Sequence, residues 1–333
     1  MTRIAVLGAG SWGTTLADLL CARGEEVVLW AHEQEVADEI NRRHRNDLFL
    51  PDSPLQPSLA ATTDCFAAVG GAEVVISAAP SHAVRPVMSA ASAGISARAL
   101  VVSASKGLEP GTHLRMSEVL AQVLAPGTAI AALSGPTFAR EVYERQPTAA
   151  VIASAGEATA RSAQAALGVP YFRLYTNDDV TGVELAGALK NVVAIAAGIL
   201  DGLGMGHNAR AARITRGLAE ITRLGVAMGA RPATFAGLAG MGDLLLTATG
   251  PLSRNRSLGF EVGRGRTLDD VVGRRLSVAE GVGTARAAVE LAEQIGVELP
   301  IAREVGCVLF EGKPVRQAIG ELMERSLKSE TWS

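Results

Sequence analysis

The stretch Ile4-Ala5-Val6-Leu7-Gly8-Ala9-Gly10-Ser11-Trp12-Gly13 carries the pattern that decides the fold. Its apolar run is typical of a buried parallel strand, and a G-x-G-x-x-G turn then leads into a predicted helix at 14–23. The first glycine permits a tight turn, the second lets a pyrophosphate approach the backbone, and the third lets the helix pack close to the sheet. Free N–H groups at the start of that helix favour phosphate. The sequence therefore predicts a dinucleotide site around Gly8, Gly10 and Gly13.

Length, charge and cysteine content limit the class of protein. A chain of 333 residues is long enough for two domains, and a net charge of −3 does not point to nucleic acid as a partner. The three cysteines are scattered without a C-x-x-C motif, so neither a disulfide framework nor a zinc site is expected. The first strand leaves no room for a signal peptide, and we identify no run of about 18 apolar residues. We expect a cytoplasmic protein without a metal site or a membrane span.

Strand and helix patterns alternate in the first half of the chain. Further strands are predicted at 26–30, 59–62, 73–79, 99–103, 129–134, 148–153 and 171–175, and this alternation indicates a mostly parallel sheet covered on both faces. Beyond about residue 177 only helices are predicted, at 183–200, 208–228, 255–262, 284–295 and 301–310. We therefore expect an α/β protein with a Rossmann-type domain at 1–178, followed by an all-α substrate domain at 179–333.

The end of the second predicted strand bears on the choice of cofactor. A dinucleotide fold often places an acid there to hold the ribose 2′-OH, but this strand continues into Ala31 and His32, with Glu33 just beyond. The imidazole of His32 can stack on adenine or contact a 2′-phosphate. The arginines at 42, 43 and 45 are interpreted as a solvated helix face. The cofactor is expected to be NADP or NAD, with NADPH favoured.

Three short polar stretches follow strands of the predicted sheet, at 79–82, 105–107 and 134–137. Each one alone is more typical of a structural turn or cap. Ligands of such sheets bind beyond the carboxyl ends of the strands, so three stretches at one edge predict a substrate pocket. Lys106, beside a glycine, is well placed there for an anionic substrate.

Lys190 lies at the edge of an apolar stripe on a predicted helix, among small neighbours at 186, 194 and 197. Partial desolvation lowers the pKa of a lysine towards the range useful for proton transfer. The alternative is a side chain whose ammonium reaches solvent past the stripe. In a chain with a dinucleotide site, catalysis is the favoured interpretation.

Two later segments offer further ligand groups. Asp243 can cap a helix, bind a substrate hydroxyl or pair with Lys190. Arg254 and Asn255 offer donors for a phosphate beside a predicted helix start, where Ser253 alternatively serves as the N-cap. Chemistry alone assigns no role to Glu280.

The ordered motifs resemble those of the bacterial-type NAD(P)-dependent glycerol-3-phosphate dehydrogenases over nearly the whole chain. They are Gly-Ala-Gly-Ser-Trp-Gly at 8–13, Pro-Ser-His at 80–82, Lys-Gly-Leu-Glu at 106–109, Ser-Gly-Pro-Thr-Phe-Ala at 134–139, Leu-Lys-Asn-Val at 189–192, Gly-Asp at 242–243, Ser-Arg-Asn-Arg at 253–256 and Glu-Gly at 280–281. One departure is Val282, where an aromatic residue is expected and packing near the cofactor would differ.

The resemblance implies reversible hydride transfer between NAD(P)H and dihydroxyacetone phosphate, giving sn-glycerol 3-phosphate for glycerophospholipid synthesis. Lys190 would be the general acid and base. Besides the glycine turn, the implied cofactor contacts are Ser11, Trp12, His32, Lys106, Ala139, Arg254, Val278 and Glu280. The implied substrate contacts are Lys106, Gly135, Thr137, Lys190, Asp243, Ser253, Arg254 and Asn255.

Two alternatives remain open from the residues themselves. One is another lysine-dependent dehydrogenase, acting on a β-hydroxy acid or ketopantoate, which would not need the phosphate subsite at 253–255. The other is a dinucleotide sensor without turnover, which would have no use for Lys190. The sequence does not fix the oligomeric state, and a homodimer is one open assembly.

Overall fold

The computed structural model describes residues 1–273, 279–326 and 329. Eight strands there form one sheet: β1 (Arg3–Leu7), β2 (Glu26–Trp30), β3 (Ala60–Thr62), β4 (Val74–Ser77), β5 (Leu100–Ser103), β6 (Ala129–Ser134), β7 (Thr148–Ala153) and β8 (Phe172–Asn177). Their order is β3-β2-β1-β4-β5-β6-β7-β8, and only the β6–β7 pair is antiparallel. The predicted Rossmann-type, mostly parallel sheet is confirmed, and β7 and β8 extend it in the opposite direction.

Helices connect the strands in residues 1–177, which we call the sheet part. They are α1 (Ser11–Ala22), α2 (Gln34–Arg43), α3 (Cys65–Val69), α4 (Val84–Ala91), α5 (Met116–Val123), α6 (Ala139–Tyr143) and α7 (Glu157–Leu167). The first helix begins three residues earlier than predicted, because Gly10 is its N-cap in extended conformation. The turn between β1 and α1 is therefore only Gly8–Gly10, and the third glycine of the motif, Gly13, lies within α1.

The chain from residue 180 onwards, which we call the helical part, follows β8 directly. Its helices are α8 (Val180–Gly202), α9 (His207–Ala227), α10 (Pro232–Ala236), α11 (Asp243–Thr249), α12 (Arg254–Gly263), α13 (Leu268–Val272), α14 (Glu280–Ile295), α15 (Pro300–Phe310) and α16 (Val315–Met323). The prediction of an all-helical second half is confirmed for the described residues.

The sheet is buried on both faces because its strands are apolar at successive positions. Ile4 and Val6 pack into one core cluster, whereas Ala5 and Leu7 pack into the cluster on the other face. This continuous apolarity is what a doubly covered parallel strand requires. It leaves the carboxyl ends of β1, β4, β5 and β6 as the edge where polar side chains emerge.

Helix α8 is the centre of the helical part. Asp179 caps its start by accepting a hydrogen bond from Gly182 N at 2.9 Å. By length and a mean hydropathy of 1.7 alone this helix could cross a membrane, although Glu184 and Lys190 interrupt its apolar sequence. However, 94% of that apolar window is buried inside the protein. A helix surrounded by other helices is apolar on all sides for that reason.

Helices α8 and α12 approach each other backbone to backbone. A Cβ atom added to Gly198 would overlap the carbonyl oxygen of Arg256, and one added to Gly259 would overlap that of Ile195. Gly202 and Gly263 make the same kind of contact one turn further along. This packing holds the first turn of α12 against the middle of α8, close to Lys190.

Candidate active site

The carboxylate of Asp243 joins two lysines from opposite parts of the fold. Lys106 follows β5 and donates from Nζ to Asp243 Oδ2 at 2.7 Å. Lys190, in the middle of α8, donates to Asp243 Oδ1 at 2.5 Å. Lys190 is only 6% exposed and Asp243 1% exposed. Burying a carboxylate between two ammonium groups carries a large desolvation penalty, so stability alone does not account for this arrangement. A functional role for the three side chains is therefore indicated.

The pKa of Lys190 is lowered to about 8, chiefly because the side chain is buried. The positive charge of Lys106 contributes to this lowering, whereas the charge of Asp243 and its hydrogen bond oppose it. The Lys190 ammonium does not reach past the helix to solvent, since it also donates to Thr247 Oγ1 at 2.8 Å. Lys190 can therefore give up or accept a proton near neutral pH.

Lys106 is also held from the sheet side. Its Nζ donates to the carbonyl oxygen of Gly135 at 2.9 Å and to Thr137 Oγ1 at 3.4 Å. Gly135 has φ +136°, and a Cβ there would lie 2.9 Å from Ala150 Cα, so only glycine fits. Gly135 and Thr137, two of the predicted substrate-binding residues, thus both contact the Lys106 ammonium group.

The predicted phosphate subsite lies at the start of α12. Ser253 is the N-cap, because its Oγ accepts a hydrogen bond from Arg256 N at 3.2 Å. Asn255 Oδ1 accepts from Gly281 N and Asn255 Nδ2 donates to Asn191 Oδ1, both at 2.9 Å. Asn255 therefore holds the starts of α12 and α14 against α8 in this structure.

Glu280, at the start of α14, faces the same cluster of cations. Burial raises the pKa of its carboxyl group, and the charges of Arg254, Lys190, Lys106 and His82 oppose that rise. The fold thus brings the charges of Glu280 and Arg254 close to those of the two lysines. It also adds His82, which the sequence analysis placed at the sheet edge without a role.

Sequence reasoning missed two residues of this site. Thr247, one helical turn after Asp243, could have been found from its i+4 spacing, because both side chains lie on one face of α11. Asn191 is 3% exposed, and its Nδ2 has no hydrogen-bond partner among the residues that the structure describes. A buried donor of this kind beside Lys190 is suited to an oxygen of a ligand.

The glycine turn has the shape that a dinucleotide needs. Gly8 has φ +125°, and a Cβ there would lie 2.7 Å from the backbone of Ala78, while one on Gly13 would overlap the carbonyl oxygen of Gly8. Within the described residues, a Cβ on Gly10 would meet no atom within 4 Å. The turn is therefore tightly packed at Gly8 and Gly13, on the side that we call its back, and open at Gly10, on the side that we call its front. Its residues fit a pyrophosphate on the open side, at the start of α1.

The other predicted cofactor residues are spread along the same edge. Ser11 and Trp12 begin α1, and the Trp12 ring packs edge-on against Phe172 at 6.1 Å between centroids. Ala139 begins α6, where its carbonyl oxygen accepts a hydrogen bond from Thr15 Oγ1 at 3.2 Å. Val278 lies outside the described residues. Val282 packs against the helical core.

His32 lies exposed just beyond β2, with its ring centroid 6.2 Å from that of Trp30. Two of the three nearby arginines have acidic partners: Arg42 pairs with Asp38 and Arg45 with Asp47. These pairs agree with the interpretation of the arginines as a solvated face.

Comparison with known proteins identifies two matching family models. The model described as NAD-dependent glycerol-3-phosphate dehydrogenase N-terminus matches residues 3–160, and the C-terminus model matches 179–320. A relative from Geobacter sp. (strain M21), named as an NAD(P)+ glycerol-3-phosphate dehydrogenase, is 54% identical over 98% of both chains. A relative of the same name from Geobacter sulfurreducens is 53% identical over 99% of both chains. The crystal structure of glycerol-3-phosphate dehydrogenase from Coxiella burnetii is 39% identical, with a TM-score of 0.93, over 97% of this chain and 99% of that one.

Proposed function

The chain belongs to the NAD-dependent glycerol-3-phosphate dehydrogenase family of oxidoreductases, and we propose that it reduces dihydroxyacetone phosphate reversibly to sn-glycerol 3-phosphate, with Lys190 as general acid and base. One observation supports this role above the others. Asp243 holds Lys190 and Lys106 together in a buried site at the same sheet edge as the glycine turn.

Lys190 supplies and removes the proton. A bound nicotinamide dinucleotide supplies the hydride to the carbonyl carbon. Negative charge then develops on the substrate oxygen, and the Lys190 ammonium stabilises that charge and donates its proton. In the oxidation direction the neutral amine accepts the proton from the alcohol. Lys106 adds positive charge on the sheet side, held by Gly135 and Thr137.

The start of α12 holds the substrate phosphate. Arg254 offers a planar pair of donors, and Ser253 and Asn255 flank it beside the free N–H groups of the helix. Because both ends of the Asn255 side chain are hydrogen-bonded, we propose that the buried Nδ2 of its partner Asn191 is the donor that meets the ligand. Binding energy from the phosphate then orients the reacting carbon.

The remaining proposals concern the cofactor and the setting of the enzyme. The glycine turn, Ser11, Trp12 and Ala139 would hold the dinucleotide, with His32 near its adenosine end and Glu280, Val278, Lys106 and Arg254 near its other end. We propose NADPH as the preferred cofactor, because the strand before His32 ends without an acid.

We also propose a Rossmann-type domain at 1–178 and a substrate domain at 179–333, a homodimer, a cytoplasmic location, and a product used in glycerophospholipid synthesis.

The test compares wild type with Lys190→Ala on dihydroxyacetone phosphate, with NADPH and NADH in parallel. Loss of reduced-nicotinamide absorbance should be fast in wild type and at least about a hundredfold slower in the variant. Binding of NADPH, followed by its fluorescence, should be retained. Lys313→Ala is the matched control, because Lys313 pairs with Glu304 of α15 and Glu321 of α16 and neither partner belongs to the candidate site.

Two results would contradict the proposal. If wild type bound NADPH tightly but did not reduce dihydroxyacetone phosphate, this compound would be rejected as the substrate. A dehydrogenase with a carboxylate substrate, or a dinucleotide sensor, would then be favoured. Full activity of Lys190→Ala would keep the enzyme class and remove Lys190 from its role. The ratio of rates with NADPH and NADH decides the cofactor preference.

A further inference from the structure

Asn46 lies in the segment between α2 and β3 and is completely buried. Its Nδ2 donates to the carbonyl oxygen of Ala9 and to Thr14 Oγ1, both at 2.8 Å. Its Oδ1 accepts from Phe49 N at 3.4 Å. A side chain from more than thirty residues away along the chain thus makes a direct hydrogen bond to the middle of the Gly8–Gly10 turn.

The hydrogen bond to Ala9 controls the direction of a second group. The Ala9 carbonyl and the Gly10 N–H belong to one planar trans peptide, so they point in opposite directions. Asn46 Nδ2 holds the carbonyl oxygen directly, and it also donates to Thr14 Oγ1, which donates to the same oxygen at 3.1 Å. With the carbonyl oxygen held on this side of the turn, Gly10 N–H faces the opposite side, which is the front. The front is the open side, where α1 begins with Gly10 as its N-cap.

The segment that carries Asn46 does not depend on this side chain for its attachment. Arg140 donates to Ser53 Oγ at 2.9 Å, and Tyr143 OH donates to the carbonyl oxygen of Pro54 at 2.7 Å. Gln56 N donates to Asp18 Oδ1 at 2.7 Å. These hydrogen bonds attach residues 53–56 to helices α6 and α1. The contacts of Asn46 to Ala9 and Thr14 are therefore directed at the glycine turn.

We propose that Asn46 is a positioning residue for the dinucleotide. By fixing the Ala9–Gly10 peptide, it presents Gly10 N–H and the first N–H groups of α1 to the pyrophosphate. The inference rests on the proposed use of the turn for a dinucleotide. It goes beyond that use, because it assigns the order of the turn to a side chain outside the motif.

The test measures NADP+ binding to the whole protein by calorimetry, without substrate. In Asn46→Ala, the Kd for NADP+ should rise about tenfold, since one well-placed hydrogen bond no longer orders the turn. The kcat at saturating NADPH and the KM for dihydroxyacetone phosphate should stay within about twofold of wild type. Ser53→Ala is the matched control, because it loosens the same segment without touching the turn, and its Kd should be unchanged.

Asn46→Asp gives a readout that a merely structural role would not move. The introduced carboxylate would repel the Ala9 carbonyl oxygen, whereas the protonated carboxyl can donate to it. The Kd for NADP+ of this variant should therefore approach the wild-type value as the pH is lowered, while the ratio for Asn46→Ala stays constant.

The outcomes separate this inference from the proposed function. An unchanged Kd in Asn46→Ala, in a protein that reduces dihydroxyacetone phosphate, would overturn the role of Asn46 alone. If Asn46→Ala bound NADP+ more weakly but wild type did not reduce dihydroxyacetone phosphate, the role of Asn46 would be supported and the proposed reaction would be rejected. Equal losses in Asn46→Ala and Ser53→Ala would also overturn it, because they would show a general loosening of the segment.

Discussion

At the scale of the residue, the charge of Lys190 sets the pH dependence of the reaction. Its pKa of about 8 means that the ammonium form predominates at pH 7 and the neutral amine prevails at higher pH. Reduction needs the ammonium, so kcat/KM for dihydroxyacetone phosphate should fall about tenfold per pH unit above about pH 8. Oxidation needs the amine, so kcat/KM for sn-glycerol 3-phosphate should rise with pH and level off above about pH 8. Initial rates in both directions provide the measurement.

Substitution of Thr247 should shift the pH dependence of kcat/KM, because Thr247 contacts Lys190. Its Oγ1 accepts a hydrogen bond from the Lys190 ammonium, and an acceptor of this kind favours the charged form. Thr247→Val should lower the pKa of Lys190 further and shift the break in both profiles to lower pH. Thr249→Val is the matched control, because Thr249 lies exposed on the same helix and donates to Leu245 O. A break at the same pH in wild type and Thr247→Val would contradict this account.

At the scale of the element, the glycine contact between α8 and α12 fixes the phosphate subsite. In Gly198→Ala the new methyl group would overlap the carbonyl oxygen of Arg256, so α12 must move away from α8. We expect a loss of about 2 kcal/mol in the free energy of unfolding and a raised KM for dihydroxyacetone phosphate. The KM should change because Arg254 and Asn255 begin the displaced helix. Urea unfolding and steady-state kinetics measure the two effects.

The control for this substitution is another helical glycine. Among the described residues, a Cβ on Gly306 in α15 would meet no atom within 4 Å. Gly306→Ala should therefore stabilise the protein by up to about 1 kcal/mol, through helix propensity alone, and leave the KM unchanged. If Gly198→Ala behaved like Gly306→Ala, the two helices would not be held by close packing.

These elements also show which parts of the structure can be predicted from the sequence. The buried strands and amphipathic helices were predictable, because their signals are runs and periods within one segment. The apposition of Gly198 and Gly259 was not, since it depends on two segments that meet only in the fold. The same reason hid Asn46, whose local sequence gives no sign of its bond to Ala9. Asn191 was inside a quoted motif, but only burial shows its unpaired donor.

At the scale of the whole molecule, the candidate site exists only where the sheet part and the helical part meet. One segment of the sheet part, residues 106–117, contacts the helical part through polar side chains at three points. Lys106 pairs with Asp243, His113 Nε2 is hydrogen-bonded to Glu290 at 2.8 Å, and Arg115 pairs with Glu184 at 2.7 Å. The same segment therefore carries a lysine of the site and holds it in register with α8.

The Arg115–Glu184 pair tests how much of the stability lies between the two parts. Glu184 also accepts from Ser117 N at 2.8 Å, and burial raises the pKa of its carboxyl group against the opposing charge of Arg115. Arg115→Met would leave that carboxylate buried without its cation, at a cost of about 3 kcal/mol in the free energy of unfolding.

The size of that loss should depend on pH in a defined direction. Without Arg115 the pKa of Glu184 rises further, so the loss should be greatest at high pH, where the carboxylate is ionised in the folded protein. It should shrink as the pH is lowered and Glu184 takes up a proton. Urea unfolding of wild type and Arg115→Met at about pH 8 and about pH 5.5 measures the difference. Arg161→Met, which breaks the exposed pair with Glu157, should cost less than about 1 kcal/mol at either pH. A loss in Arg115→Met that is equally small, or that does not change with pH, would show that the two parts are held together elsewhere.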